Sequence, residues 1–313
     1  MGTSISQIET HVENILEQER AEQIRASIAW LSPPNLSRIH NEARQRIEPQ
    51  TGLWLLESEC YKGWRRGESH HLWVYGKAGC GKTVLSSSVV EDLRQHCETS
   101  RNSKIFYFYF SFADVDKQSY ENLLCSLLSQ LAQDEPCRSL VQREYQNSTP
   151  NPPETSALEK ILLNCVSQFQ DTFIAMDALD ECPDLEDTRQ DLLDHLEKLI
   201  SKAPNIKMFV TSREIHQIGD FMRKQGAKVC PVGIRQVDAD IRRFVLGGLS
   251  RDPKLYRLKE ATKVMILNSF TARSDGMYDE FNQVLSNRVL TNIQVQMGIS
   301  PTSAIEEPQI YEA

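Results

Sequence analysis

The sequence predicts an α/β fold, in which a mainly parallel sheet is covered by helices. A helical segment precedes it, and a helical and then irregular stretch follows. Three observations lead there. Short apolar runs at 72–75, 105–110, 173–176, 206–210 and 229–234 alternate with segments whose apolar residues recur at helical spacing. Several runs, Ile105-Phe106-Tyr107-Phe108-Tyr109-Phe110 above all, are continuous, as in strands buried on both faces. A glycine-rich stretch lies between the first run and a helical pattern. The chain has 313 residues, 40% hydrophobic and 25% charged, which suffices for one large domain with appendages or two modest ones.

Residues 1–50 read as an N-terminal helical segment. Ile8, Val12, Ile15, Leu16, Ile24, Ile28 and Leu31 recur at three- and four-residue steps, and the pattern stops at Ser32-Pro33-Pro34. The expectation is an amphipathic segment in two pieces, packed on its own domain or on a partner helix. Met1-Gly2-Thr3-Ser4-Ile5-Ser6 matches the N-myristoylation pattern at Gly2. No basic cluster follows, one acyl chain anchors only marginally, and the plain start of a helix is the alternative. Residues 51–70 read as a linker docked through Trp54-Leu55-Leu56, Tyr61 and Trp64, with Arg65-Arg66-Gly67 as a solvated turn into the first strand.

After the strand at 72–75, Gly76-Lys77-Ala78-Gly79-Cys80-Gly81-Lys82-Thr83 fits G-x-x-x-x-G-K-[ST], the pattern of a phosphate-binding loop. Glycines let the backbone curl so that successive N–H groups point at one anion. The helix marked by Val84, Leu85, Val89 and Leu93 offers its positive end to the same anion. On this reading all eight residues bind a nucleotide. Lys82 reaches its β- and γ-phosphates, and the Thr83 hydroxyl ligates Mg²⁺. The competing reading is a glycine-rich turn without a ligand. Strand, loop and helix in this order make residues 71–247 a candidate P-loop NTPase domain.

Beyond the run at 105–110, Leu123, Leu124, Leu127, Leu128 and Leu131 mark a helix face. The aromatics at 106–110 invite a base-stacking reading, but no Lys or Arg interleaves with them, so a core role is preferred. Residues 148–153 carry three prolines and read as a surface loop. Helices are expected over 158–169, 185–200, 238–246 and 258–272. From Gly276 the periodicity fades, so 248–313 is expected to be a helical extension ending in a mobile tail.

In parallel sheets ligands bind beyond the carboxyl ends of the strands, and the chemically capable residues fall there. Asp177 directly follows the apolar run at 173–176 and is the candidate Mg²⁺ ligand opposite Thr83. Asp180 and Glu181 follow closely enough to face the same phosphate. Glu181 is expected as the base that orients water, and Asp180 as its partner at the metal. A helix start is the alternative, and it explains Asp184 and Glu186 better than Asp177. Arg213, at the end of the run at 206–210, either senses the γ-phosphate or forms a salt bridge at the sheet edge.

A net charge of −8 gives no electrostatic reason to bind nucleic acid or anionic membrane. No apolar run could span a bilayer and no basic-then-apolar leader opens the chain, so a cytoplasmic protein is expected. Eight cysteines without a C-x-x-C pair or zinc spacing read as reduced thiols, several of them core residues. Within the loop, the helix dipole and Lys82 could lower the pKa of Cys80, or Cys80 is simply a small residue that fits.

GKAGCGKT, FIAMDALDEC and MFVTSRE, in this order and spacing, resemble the NACHT-domain NTPases of the signal-transduction (STAND) class. The nearest form is the fungal, nephrocystin-like one, where a segment like Thr51-Gly52-Leu53-Trp54-Leu55-Leu56 precedes the loop. The resemblance covers residues 24–278. It implies an ATP/ADP switch with Mg²⁺ and slow hydrolysis, open and oligomerising with ATP and closed with ADP. It further implies action in fungal non-self recognition or cell death, through copies of itself or full-length relatives. Such proteins continue past a segment like Asp275-Gly276-Met277-Tyr278 into a winged helix, with a nucleotide-locking histidine, and repeats. Residues 279–313 resemble none of this, so a truncated product or a short partner of full-length relatives is expected. A small-molecule kinase would need an arginine-bearing lid, and a GTPase an N-K-x-D pattern; neither is visible. A non-catalytic nucleotide-binding interaction protein stays open.

Overall fold

The computed structural model of the chain describes residues 2–48, 50–100, 102–148, 153–185 and 187–273. At its centre β1 (His71–Tyr75), β2 (Ser103–Tyr109), β3 (Asp171–Asp177), β4 (Ile206–Ser212) and β5 (Lys228–Pro231) form one parallel sheet in the order β2-β3-β4-β1-β5. Parallel neighbours need long crossovers, and helices supply them. These are α5 (Lys82–Thr99), α6 (Tyr120–Leu131), α7 (Cys137–Asn147), α8 (Thr155–Val166), α9 (Thr188–Lys202) and α10 (His216–Lys224). Before the sheet come α1 (Gly2–Leu31), α2 (Ser37–Gln45), α3 (Leu53–Leu56) and α4 (Glu59–Arg66). After it come α11 (Ile234–Arg251), α12 (Pro253–Tyr256) and α13 (Glu260–Arg273).

Both faces of the sheet are buried, which is why its strands read as continuous apolar runs. Leu72, Val74, Phe173, Ala175 and Phe209 face Tyr61 and Trp64 of α4 and Leu85, Val89, Val90 and Leu93 of α5. The alternate residues Trp73, Ile174, Met176, Met208 and Val210 join the opposite core, built with α6, α8, α9 and α10. A third cluster joins Cys80 of the glycine-rich loop to Val237, Ile241, Phe244 and Val245 of α11 and to Ile266 and Leu267 of α13. Phe106 and Phe108 are buried, in agreement with a core role.

Several elements differ from expectation. The N-terminal pattern forms one 30-residue helix rather than two pieces. Leu31 at its end is buried, whereas Val12, Ile15 and Leu16 are exposed. Arg65 and Arg66 form the last turn of α4, and Gly67 ends it at a φ of 88°. Ile234 opens α11 instead of closing β5, and α2, α4, α7 and α10 are helices that the apolar pattern did not announce. Met1 of the acylation pattern, most of the proline-rich loop and all residues from 274 onward lie outside the described residues, including 275–278 and the expected tail. Among the described residues, no helix is long and apolar enough to cross a membrane.

His71 opens β1 and is buried, and its Nδ1 accepts the Met208 N–H at 3.2 Å. The fold therefore needs a neutral imidazole. Burial, with the neighbouring His70, pushes its pKa down to about 4 from 6.5. With a depressed folded pKa, this stability is complete above the ordinary value and is lost as pH falls from 6.5 toward 4. The parent is expected to lose about 3 kcal/mol more than His71→Gln across that window. Urea titrations at stepped pH measure the difference, and parallel profiles would refute it.

Candidate functional site

The glycine-rich loop joins β1 to α5, and each of its glycines has a local reason. Gly79 and Gly81 hold φ angles of 71° and 84°, which L side chains rarely adopt. At Gly76 a Cβ would lie 2.8 Å from Cys80 Sγ and 3.0 Å from Val232 Cβ. Lys82 and Thr83 are the first two residues of α5. Lys82 Nζ donates to the carbonyls of Gly76 (3.0 Å) and Lys77 (2.7 Å). Cys80 is buried, and burial raises its thiol pKa despite the nearby Lys82 charge. The lowered value offered as one reading of the sequence is therefore not found, because desolvation outweighs the cation.

Thr83 Oγ1 donates to Asp177 Oδ2 at 2.7 Å, across the sheet from β1 to β3. Because β4 lies between those strands, its Thr211 is also in reach. Thr211 Oγ1 donates to Asp177 Oδ1 at 2.6 Å and accepts the Ala178 N–H at 2.9 Å. Sequence reasoning gave Thr211 no role; its position two residues before Arg213, at the end of an apolar run, was the available signal. Asp177 is 2% exposed. Burial holds its carboxyl above the usual range, and the hydroxyls of Thr211 and Thr83 and the charge of Lys82 pull the other way.

Ala178, at a φ of 54°, turns the chain into the single helical turn Leu179–Glu181. Buried Arg189 steadies that turn through the Cys182 carbonyl, a role the sequence did not suggest. Asp180 Oδ1 accepts the Arg213 N–H at 2.9 Å, and Oδ2 accepts Arg213 Nε at 2.5 Å. Both carboxylate oxygens thus accept from Arg213, and Asp180 anchors that arginine. The ion pair lies at the centre of the sheet, since β4 is its middle strand, and not at an edge. Arg213 also sits 5.8 Å from the centre of the Phe112 ring. Glu181 Oε2 accepts the Phe112 N–H at 3.1 Å, and burial pushes the Glu181 carboxyl up.

A cavity of about 410 Å³ gathers these parts. Gly79, Gly81, Lys82, Thr83, Phe112, Asp180, Glu181 and Arg213 are among the residues that line it, together with Arg46 and Phe244. The donor set suits a polyphosphate with a hard cation: curled amides, an ammonium, a hydroxyl and a carboxylate. Among the described residues no cluster of three or more His, Cys, Asp or Glu could hold a metal by itself.

The nephrocystin 3, N-terminal family model matches residues 50–213, a span that includes the loop, Asp177, Glu181 and Arg213. The chain belongs to that family. The vegetative incompatibility protein HET-E-1 of Podospora anserina is 26% identical to this nephrocystin-type chain over 185 residues, which is 54% of this chain and 13% of that protein. Among solved structures, the Aeropyrum pernix ORC1 protein in complex with DNA matches with a TM-score of 0.53 at 15% identity. The match covers 83% of this chain and 63% of that one. At that identity the likeness shows the fold alone, a parallel sheet covered by helices. The motif resemblance to NACHT-like P-loop NTPases of the fungal type thus holds for family and fold.

Replacing Thr211 by Val leaves the Ala178 N–H and an Asp177 oxygen without their partner. A loss of about 1–3 kcal/mol in unfolding free energy is expected, with Thr211→Ser retaining most of the stability. Denaturant titration of both variants checks this, and equal losses would mean that the methyl group matters and not the hydroxyl.

Proposed function

We propose that this chain binds ATP with Mg²⁺ and works as an ATP/ADP conformational switch with slow ATP hydrolysis. The observation that carries the reading is the 2.7 Å contact between buried Asp177 and Thr83, a residue that lines the cavity together with the glycine loop. The amides of residues 76–83 would cradle the phosphates, and Lys82 would exchange its loop carbonyls for β- and γ-phosphate oxygens. Thr83 and Asp177 would hold Mg²⁺, which when bound neutralises charge on the triphosphate. Glu181 would orient water and take its proton, its carboxyl held above the usual range by burial. Arg213, held by Asp180, would face the γ-phosphate. Losing that anion changes what Lys82 and Arg213 face, and a differential contact of this kind is what a switch requires.

In this reading residues 71–247 are the nucleotide domain, 1–50 and 51–70 its helical and docking segments, and 248–313 its extension. The likeness to a vegetative incompatibility protein supports a place in non-self recognition or cell-death signalling within the cytoplasm. Copies of the chain or longer relatives would be its partners, and nucleic acid would not.

Lys82→Ala is expected to lower MgATP affinity by about a hundredfold or more, loss of a charged phosphate contact being worth about 3 kcal/mol. Titration with a fluorescent ATP analogue reads this, and unchanged affinity would remove the phosphate-loop assignment. Glu181→Gln is expected to bind MgATP as the parent does while phosphate release falls about a hundredfold or more. Release at the parental rate would place the base elsewhere. Size-exclusion of the parent with ATP and with ADP tests the switch, which predicts different association states.

A further inference from the structure

Of the eight free cysteines, only Cys60 and Cys97 are partly open to solvent, and the others are buried. Cys60, the second residue of α4, differs from Cys97 in having another thiol beside it. The fold brings that thiol there. α4 packs directly on β5. Residues in register on parallel strands point to the same face of the sheet, and Cys230 is in register with Val74. Val74 belongs to the core on the side of α4 and α5, and Cys230, 6% exposed, joins it there. Cys60 packs against the same core. Its Sγ lies 3.8 Å from the carbonyl oxygen of Val229, the residue before Cys230. Burial and the adjacent Cys60 push the Cys230 thiol up to about 12, so Cys230 stays protonated at neutral pH.

Cys137 and Cys165 are also neighbours, with Cys137 Sγ 3.9 Å from the Cys165 carbonyl oxygen, but both are 0% exposed. An oxidant in solution therefore meets a thiol pair only at Cys60. The end of β5 also abuts the glycine-rich loop. Val232, two residues beyond Cys230, donates its N–H to the Tyr75 carbonyl at 2.8 Å. A Cβ on Gly76 would come 3.0 Å from the Val232 Cβ. A bond between Cys60 and Cys230 would fasten α4 to the strand end that meets the loop.

We propose that Cys60 and Cys230 form a peroxide-responsive dithiol site, at which oxidation joins α4 to β5 by a disulfide. The Cys60 thiolate attacks one oxygen of hydrogen peroxide. A sulfur–oxygen bond forms, the oxygen–oxygen bond breaks, and the departing hydroxide is protonated to water. Cys60 is then a sulfenic acid. The Cys230 sulfur attacks the Cys60 sulfur, the sulfur–oxygen bond breaks, and hydroxide leaves with the Cys230 proton as a second water. Two thiols have given up two electrons, which reduce one peroxide to two waters. Exchange with a small dithiol returns both thiols.

The test treats the reduced full chain with stoichiometric hydrogen peroxide, alkylates it under denaturing conditions and maps its peptides by mass spectrometry. The expected product is a single chain with two alkylatable thiols fewer, a peptide linking Cys60 to Cys230, and full recovery in dithiothreitol. Its urea midpoint should lie above that of the reduced chain, because the bond restricts the unfolded state. Cys230→Ser should stop at the first step, with dimedone trapping the sulfenic acid on Cys60. Cys97→Ser should leave the link unchanged. A link at another pair, a link between chains, oxidation confined to Cys97, or no loss of thiol overturns the site. A linked chain with no gain in midpoint overturns the fastening of α4 to β5. The parent chain alone decides between these outcomes, so a variant that fails to fold does not shelter the proposal.

Discussion

The hydrogen bond from Thr83 to Asp177 dictates where the rest of the site must be. A carboxylate at 2% exposure is costly to desolvate unless donors are aimed at it. Two hydroxyls meet that need, one from the first turn of α5 and one from the end of β4. Both donors reach the same carboxylate only if β4 lies between β1 and β3, as it does. They also require that the loop deliver Thr83 to the first turn of α5, and the left-handed turns at Gly79 and Gly81 do so. Sheet order, loop length and the choice of glycine therefore answer to one buried group.

Much of this was legible in the sequence because burial on both faces leaves a plain mark. Leu72 and Val74 pack toward α4 and α5 while Trp73 packs the other way, so the strand shows no polar gap. A carboxylate directly after such a run, as Asp177 stands after 173–176, has few structural excuses. The short helices left a weaker mark. Two turns of α4, or the nine residues of α10, hold too few apolar positions for a helical period to stand out from a loop. The long helix α1 was divided in expectation because its middle is polar, although nothing there breaks a helix before Ser32.

Pairings at long range were not legible at all. Either carboxylate of the Asp180-Glu181 pair could have faced Arg213. The left-handed turn at Ala178 decides for Asp180, and residue spacing does not encode that turn. Thr211 is an ordinary strand residue until β4 is known to lie beside Asp177. Gly52, Gly247 and Asp240 read as separate and unremarkable residues. That Gly247 lies under the Glu48 carboxylate appears only once the two ends of the chain are found side by side.

The three acidic residues at the end of β3 can be ranked by what already compensates them. Asp180 has a guanidinium and an amide on its two oxygens, so its charge is largely met. Asp177 and Glu181 are hydrogen-bonded by neutral donors, two hydroxyls in one case and the Phe112 N–H in the other. Burial raises the carboxyl of each, so those donors do not fully replace the water that was lost. Of the two carboxylates that line the cavity, Glu181 is met by a neutral donor and Asp180 by a guanidinium, so an entering cation would gain more beside Glu181. Asp180 is left to hold Arg213. Glu181, less fully compensated, keeps a carboxyl that burial holds above the usual range.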